Sequence, residues 1–146
     1  MQYFEDFTVG QKFASGRLTV DAAAIKSFAG EYDPQPFHLD EAAAKQSPFG
    51  GLAASGWHTA ALTMSLIVGS EFRPAGGILG FGGELAWVKP VRPGDELRVE
   101  SEILETRTSQ SRPGQGIVKV RVTTLNQDGD VVQTFTPTLL VPRRGA

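Results

Sequence analysis

Asp33 and His38 are the residues of this chain best suited to moving protons. They bracket the segment Asp33-Pro34-Gln35-Pro36-Phe37-His38. Two prolines fix the backbone on either side of Gln35 and remove two donors, which predicts a stiff, non-helical turn displaying a carboxylate and an imidazole together. Histidine titrates nearest neutrality and suits proton transfer. A neighbouring aspartate can fix its tautomer, raise its basicity or share a water with it. Adding water to a double bond needs one group to deprotonate the water and one to deliver a proton to carbon, and this pair supplies both. A hydrogen-bonded loop without chemistry would have the same composition, so the pair alone does not decide.

A second segment, Gly50-Gly51-Leu52-Ala53-Ala54-Ser55-Gly56-Trp57-His58, leads into the most apolar helix of the chain. Ser55 is its expected N-cap. The Gly56 N–H then has no partner within the helix, and the helix dipole places partial positive charge there. With no side chain at Gly56, a thioester carbonyl could approach the backbone. Such a donor would stabilise charge moving onto that oxygen. Plain capping is the competing reading. On this view Gly56→Val obstructs the oxygen and leaves stability nearly intact, since a β-branched residue in the first turn costs only about some tenths of a kcal/mol in propensity. His58 is read as a packing or hydrogen-bonding residue, and Trp57 and Trp87 as core or interface. No metal-ligand spacing joins His38, His58, Asp33 and Asp40, so no metal is expected.

These groups need elements to hold them. A helix is expected over Asp21–Glu31, capped by Thr19 or Asp21 and stopped near Asp33 by the prolines. A short helix is expected over Asp40–Gln46, with Asp40 as cap. The helix after Ser55 is apolar on most faces, the pattern of a buried helix. From Ile78 onward the period becomes two. Glu84–Val88 is one strand; Leu97, Val99, Ser101 and Ile103 share a face of the next, and Val118, Val120 and Val122 of a third. Asp128-Gly129 is a hairpin turn. Val131, Gln133, Phe135, Pro137, Leu139 and Val141 share a face of the last strand, with a bulge or an edge position at Pro137. A buried helix followed by long antiparallel strands is an α+β layout in one domain, residues 1–146.

The bulk numbers agree. The 146 residues are 40% apolar and 21% charged, with a net charge of −2. That is ordinary globular composition. No block of Lys or Arg offers a nucleic-acid footprint. No cysteine is present, so disulfides and thiolate chemistry are excluded. Neither a signal peptide nor a membrane-spanning run is visible, so a cytoplasmic protein with no membrane partner is the expectation.

The Asp33–His38 segment resembles the Asp-x-Asn-Pro-aliphatic-His signature of MaoC-like (R)-specific enoyl-CoA hydratases and acyl dehydratases. Leu39-Asp40-Glu41-Ala42-Ala43, the Ser47–Gly51 loop, Gly56 and Pro90-Val91-Arg92-Pro93-Gly94-Asp95 match in order and spacing, so the similarity covers nearly the whole chain. The resemblance implies a single hotdog domain, an antiparallel sheet of five or six strands around a long helix, usually dimeric. It implies reversible hydration of a trans-2-enoyl-CoA to an (R)-3-hydroxyacyl-CoA without metal or redox cofactor. Asp33 and His38 would activate the water and the Gly56 amide would bind the thioester oxygen. Gln35, Phe37, Gly51, Ser55 and Trp57 are the candidate substrate-binding residues, and with substrate at a subunit junction Arg73, Lys89 or Arg92 are the candidates for CoA phosphate contacts. A homodimer or higher homo-oligomer acting on acyl-CoA is the expected assembly. Gln35 stands where Asn is usual, Phe37 where a smaller aliphatic is common, and Ser55 and Trp57 replace the residues that often flank the glycine. Met64 falls where some members carry a supporting serine. A hotdog thioesterase and a non-catalytic acyl-CoA-binding subunit are the alternatives.

Overall fold

The computed structural model describes residues 1–146. A 3-10 turn at Phe4–Asp6 precedes strand β1 (Lys12–Thr19). Helix α1 (Ala22–Tyr32) follows, then the short helices α2 (Pro36–Leu39) and α3 (Glu41–Lys45) and the long helix α4 (Gly56–Val68). Strands β2 (Leu79–Trp87), β3 (Glu96–Thr108), β4 (Gln115–Leu125) and β5 (Val131–Pro142) complete the chain. All pairings are antiparallel, in the order β1-β3-β4-β5-β2. No helix is long and apolar enough to cross a membrane.

Local chemistry sets the helix ends. Asp21, not Thr19, caps α1 by accepting from the Ala24 N–H at 2.7 Å. Asp40 caps α3 in the same way through the Ala43 N–H at 2.9 Å. Asp33 closes α1, because Pro34 bars helical continuation. The expectation of a non-helical turn through to His38 needs correcting. Pro36 takes the first position of α2, where its missing N–H costs nothing, and His38 lies inside that single turn.

The sheet packs one face on α4. Leu97, Val99 and Ile103 of β3 join Val118, Val120 and Val122 of β4 in a core that also holds Leu66 and Ile67 of α4. The face expected for β5 holds from Gln133 onward but not before. Leu125 pairs with Val131 and Thr124 with Gln133, so Val132 is an extra residue and turns inward in place of Val131. Pro137 sits on an interior strand opposite Gly83, next to a register break in β2. The bulge alternative is therefore the right one, and the missing N–H of Pro137 is accommodated there.

Helix α4 is not buried all round. Trp57, Ala61, Met64, Ser65 and Val68 form an exposed stripe. Leu79 and Phe81 of the edge strand β2 are exposed as well.

Candidate active site

The site is built around the run Ala53–Ser55 just before α4 and Gly56, the first residue of that helix. Three contacts hold the run in place. The Ala53 N–H donates to the Phe37 carbonyl at 3.4 Å and the Ala54 N–H to the Val91 carbonyl at 2.9 Å. The Trp57 N–H donates to Ser55 Oγ at 3.2 Å, which confirms Ser55 as the N-cap. Each residue of the run can then address the site. The Ala53 carbonyl meets His38 Nδ1 at 2.7 Å. Ser55 Oγ donates to Asp33 Oδ2 at 2.6 Å. The Gly56 N–H, in the first position of α4, has no partner in the chain.

The Ala53 contact fixes the histidine tautomer. A carbonyl can only accept, so His38 carries its proton on Nδ1 and, when neutral, presents a bare lone pair at Nε2. That atom lies 3.4 Å from Asp33 Oδ2. The carboxylate is held on both oxygens, since Gln35 Nε2 donates to Oδ1 at 2.5 Å. Burial opposes the Asp33 charge, but the hydrogen bonds from Ser55 and Gln35, together with the positive charge His38 carries when protonated, outweigh it, so the carboxyl lies below its ordinary range. Two acceptors, an imidazole nitrogen and a carboxylate oxygen, thus converge on one small volume.

Gly56 has a neighbour that sequence reasoning missed. A Cβ built on Gly56 would stand 2.4 to 2.8 Å from the Trp87 indole. The ring lies against the start of α4, so glycine is required there for packing as well as for any ligand. This corrects the expectation that Gly56→Val leaves stability nearly intact. Trp87 Nε1 donates to Gln133 Oε1 at 3.1 Å, Gln133 Nε2 donates to Thr63 Oγ1 at 3.1 Å, and Thr63 bonds Thr124 at 2.7 Å. This chain of bonds ties the indole to β5, α4 and β4. Trp57 meets it edge to face at 5.1 Å. A cleft of about 190 Å³ is lined by His38, Phe49, Ala54, Gly56, Thr59 and Trp87. His38 and Gly56 therefore line the same space. Only the register of β2 against β5 brings Trp87 here, and nothing local in the sequence marks it.

Known proteins resemble this chain in sequence and in fold. A family model described as the MaoC like domain matches residues 6–126. The chain belongs to the MaoC-like dehydratase family. The MaoC-like dehydratase from Rhodospirillum rubrum, a crystal structure, superposes with a TM-score of 0.97 at 57% identity, covering 100% of both chains. The R-hydratase PhaJ1 from Pseudomonas aeruginosa superposes with a TM-score of 0.73 at 28% identity, covering 97% of this chain and 86% of that one. Protein YdeM of Bacillus subtilis (strain 168) is 36% identical over 84% of this chain and 86% of its own length. The architecture is the α+β hotdog of these MaoC-like relatives.

The remaining candidates divide into those near the cleft of this MaoC-like domain and those elsewhere. Phe37 packs edge-on against His38 at 4.7 Å and against Phe49 at 5.1 Å, steadying the imidazole. Gln35 reaches the carboxylate and, as far as its contacts go, serves Asp33. Ser55 is 0% exposed, so its place is behind the carboxylate and not on a substrate-lining surface. Trp57 is 60% exposed on the outer stripe of α4. Gly51 lies in a separate cleft beside Glu41, Lys45 and Arg92. Arg92 itself donates to the carbonyls of Phe49, Gly51 and Leu52, and so clamps the loop leading to the site. Arg73 donates to the Ser70 carbonyl and Lys89 pairs with Asp130 at 2.6 Å. The three cations considered for CoA phosphates thus all have protein partners. His58 stacks on Phe28 at 4.7 Å, and burial pushes its pKa down, which keeps it neutral.

Proposed function

We propose that the protein reversibly hydrates trans-2-enoyl-CoA thioesters to (R)-3-hydroxyacyl-CoA, with Asp33 and His38 as the acid/base pair and the Gly56 amide as the thioester-oxygen donor. The observation that carries this reading is the convergence of two acceptors, His38 Nε2 and Asp33 Oδ2, at 3.4 Å. Lone pairs facing each other at that distance call for a shared donor. A water giving one proton to each is the simplest, and it is held as a nucleophile must be. As its oxygen bonds to the β-carbon, the pair takes its proton. Electron density moves through the former double bond onto the thioester oxygen, where the unpartnered Gly56 N–H and the α4 dipole offset the charge. The pair then returns a proton to the α-carbon, so that one water has been added across the bond. The reverse sequence is the dehydration. The stereochemistry rests on the likeness to a protein named as an R-hydratase.

The same proposal includes a homodimer. The stripe Trp57, Met64 and Val68 lies exposed on α4, and Leu79 and Phe81 lie exposed on the unpaired edge strand. Apolar surface of this kind beside an open sheet edge is normally covered, and a two-fold pairing is the commonest way to cover it.

The test is loss of the enoyl-thioester absorbance on addition of protein, over a panel of enoyl-CoAs of rising chain length, with free thiol measured in parallel. Hydration without thiol release is the expected result. Thiol release from saturated acyl-CoA without hydration would replace this reading with a thioesterase.

A further inference from the structure

We infer that Ser55 is a positioning residue that locks the Asp33 carboxylate to the start of α4, so that the water-activating oxygen and the Gly56 amide are set by a single residue. The inference rests on the hydratase reading above and deepens it. Ser55 is fully buried, and its hydroxyl has two neighbours. A backbone N–H can only donate, so towards Trp57 the hydroxyl oxygen is the acceptor. A serine hydroxyl has one proton to give. That proton goes to Asp33 Oδ2 at 2.6 Å. The direction of the bond is therefore forced, and it presents a donor to the same oxygen that faces His38 Nε2.

Capping by itself does not require this residue. Aspartate caps helices equally well, but here it would set a second carboxylate against Asp33. The site needs an acceptor towards the helix and a donor towards the carboxylate in one short side chain. The peptide that follows carries the Gly56 N–H, so a shift of Ser55 would move oxyanion donor and base together. Of the titratable and charged groups packed around Asp33, His38 on α2 is the one in contact, and no Lys or Arg pairs with it. The donor from Ser55 is thus a main local influence on how tightly Asp33 binds its proton.

The experiment compares wild type, Ser55→Ala and Ser55→Gly. The titration of the Asp33 carboxyl carbon is followed by NMR without substrate, with Asp33→Asn to assign the signal. The pH profiles of kcat and KM are measured with trans-2-butenoyl-CoA. Losing one hydrogen bond to a charged acceptor should raise the Asp33 midpoint by about one to two pH units. The acid limb of kcat/KM, which reports the free enzyme, should move up with it. Glycine is nearly as good an N-cap as serine and alanine a poor one, so a role in capping alone would spare Ser55→Gly. An unmoved Asp33 midpoint, or a defect confined to Ser55→Ala, overturns the proposal. A midpoint that rises while the acid limb of kcat/KM stays put overturns it too. A midpoint that rises in a protein hydrating no enoyl-CoA supports the Ser55–Asp33 lock and overturns only the hydratase reading.

Discussion

Replacing Gly56 by alanine tests the contact between α4 and Trp87 directly. The new Cβ would stand 2.4 Å from Cε2 and 2.6 Å from Cδ2 of the indole. Carbon atoms in contact normally sit about 3.5–4.0 Å apart, so the ring must retreat by roughly an ångström or more. The retreat breaks the 3.1 Å bond from Nε1 to Gln133 Oε1. Gln133 is 1% exposed, so its oxygen is left buried without that donor. Stranding such a group costs about 1–3 kcal/mol, and disturbing the edge-to-face pair with Trp57 adds about 0.5–1.5 kcal/mol. Alanine returns about 0.5–1 kcal/mol of helix propensity relative to glycine. The net expectation is a loss of about 0.5–4 kcal/mol. In a Trp87→Ala background there is no ring to displace, and the same substitution should be neutral or stabilising by up to about 1 kcal/mol. The propensity gain is common to both backgrounds and cancels, so the coupling in the double-mutant cycle should be the displacement cost alone, about 1.5–4.5 kcal/mol. Urea unfolding followed by circular dichroism, on all four proteins at one concentration, measures it. A coupling below about 0.5 kcal/mol, within ordinary additivity, would refute the placement of the indole over Gly56.

Further outcomes follow from the same geometry. Asp33→Ala and His38→Ala should each abolish most hydration, and the double mutant should lose little more, because groups acting as a unit are not additive; independent multiplicative losses in steady-state kinetics would count against a shared water. Light scattering should give about twice the 15.7 kDa of one chain, and Phe81→Glu on the exposed edge strand should shift the protein to monomer. A wild-type monomer at micromolar concentration would contradict the dimer. Because folding lowers the Asp33 pKa, the unfolded chain binds that proton more readily, so its stabilising contribution is complete above the unfolded value and is lost as pH falls through the folded one. The melting-temperature gap between wild type and Asp33→Asn should be constant above about pH 5 and close below about pH 4. A gap that widens on acidification would mean the sign of the shift is wrong.

Much of this molecule is readable from its sequence because the signals are local. Asp40 and Ser55 announce their helices through their own hydrogen bonds to the next turn. Pro34 ends α1 through its own ring. The alternation in Leu97, Val99 and Ile103 and in Val118, Val120 and Val122 reports which face is buried, since a strand repeats every two residues. Asp33 and His38 are drawn together because few bonds separate them, and the prolines leave the segment few ways to run. Tertiary structure decided the rest. That α2 begins at Pro36, that Val132 replaces Val131 in the core, and that the Ser55 hydroxyl meets the Asp33 carboxylate depend on what stands opposite. Arg92 shows the same limit, because a guanidinium looks alike in sequence whether it awaits a phosphate or clamps carbonyls from 40 to 43 residues away. The Trp87 indole over Gly56 is the furthest case. It requires the β2–β5 register, the Gln133 amide and the Thr63 hydroxyl of α4 to meet, and strand register across long sequence separations is set by the packing of the whole sheet on its helix, which no local pattern encodes.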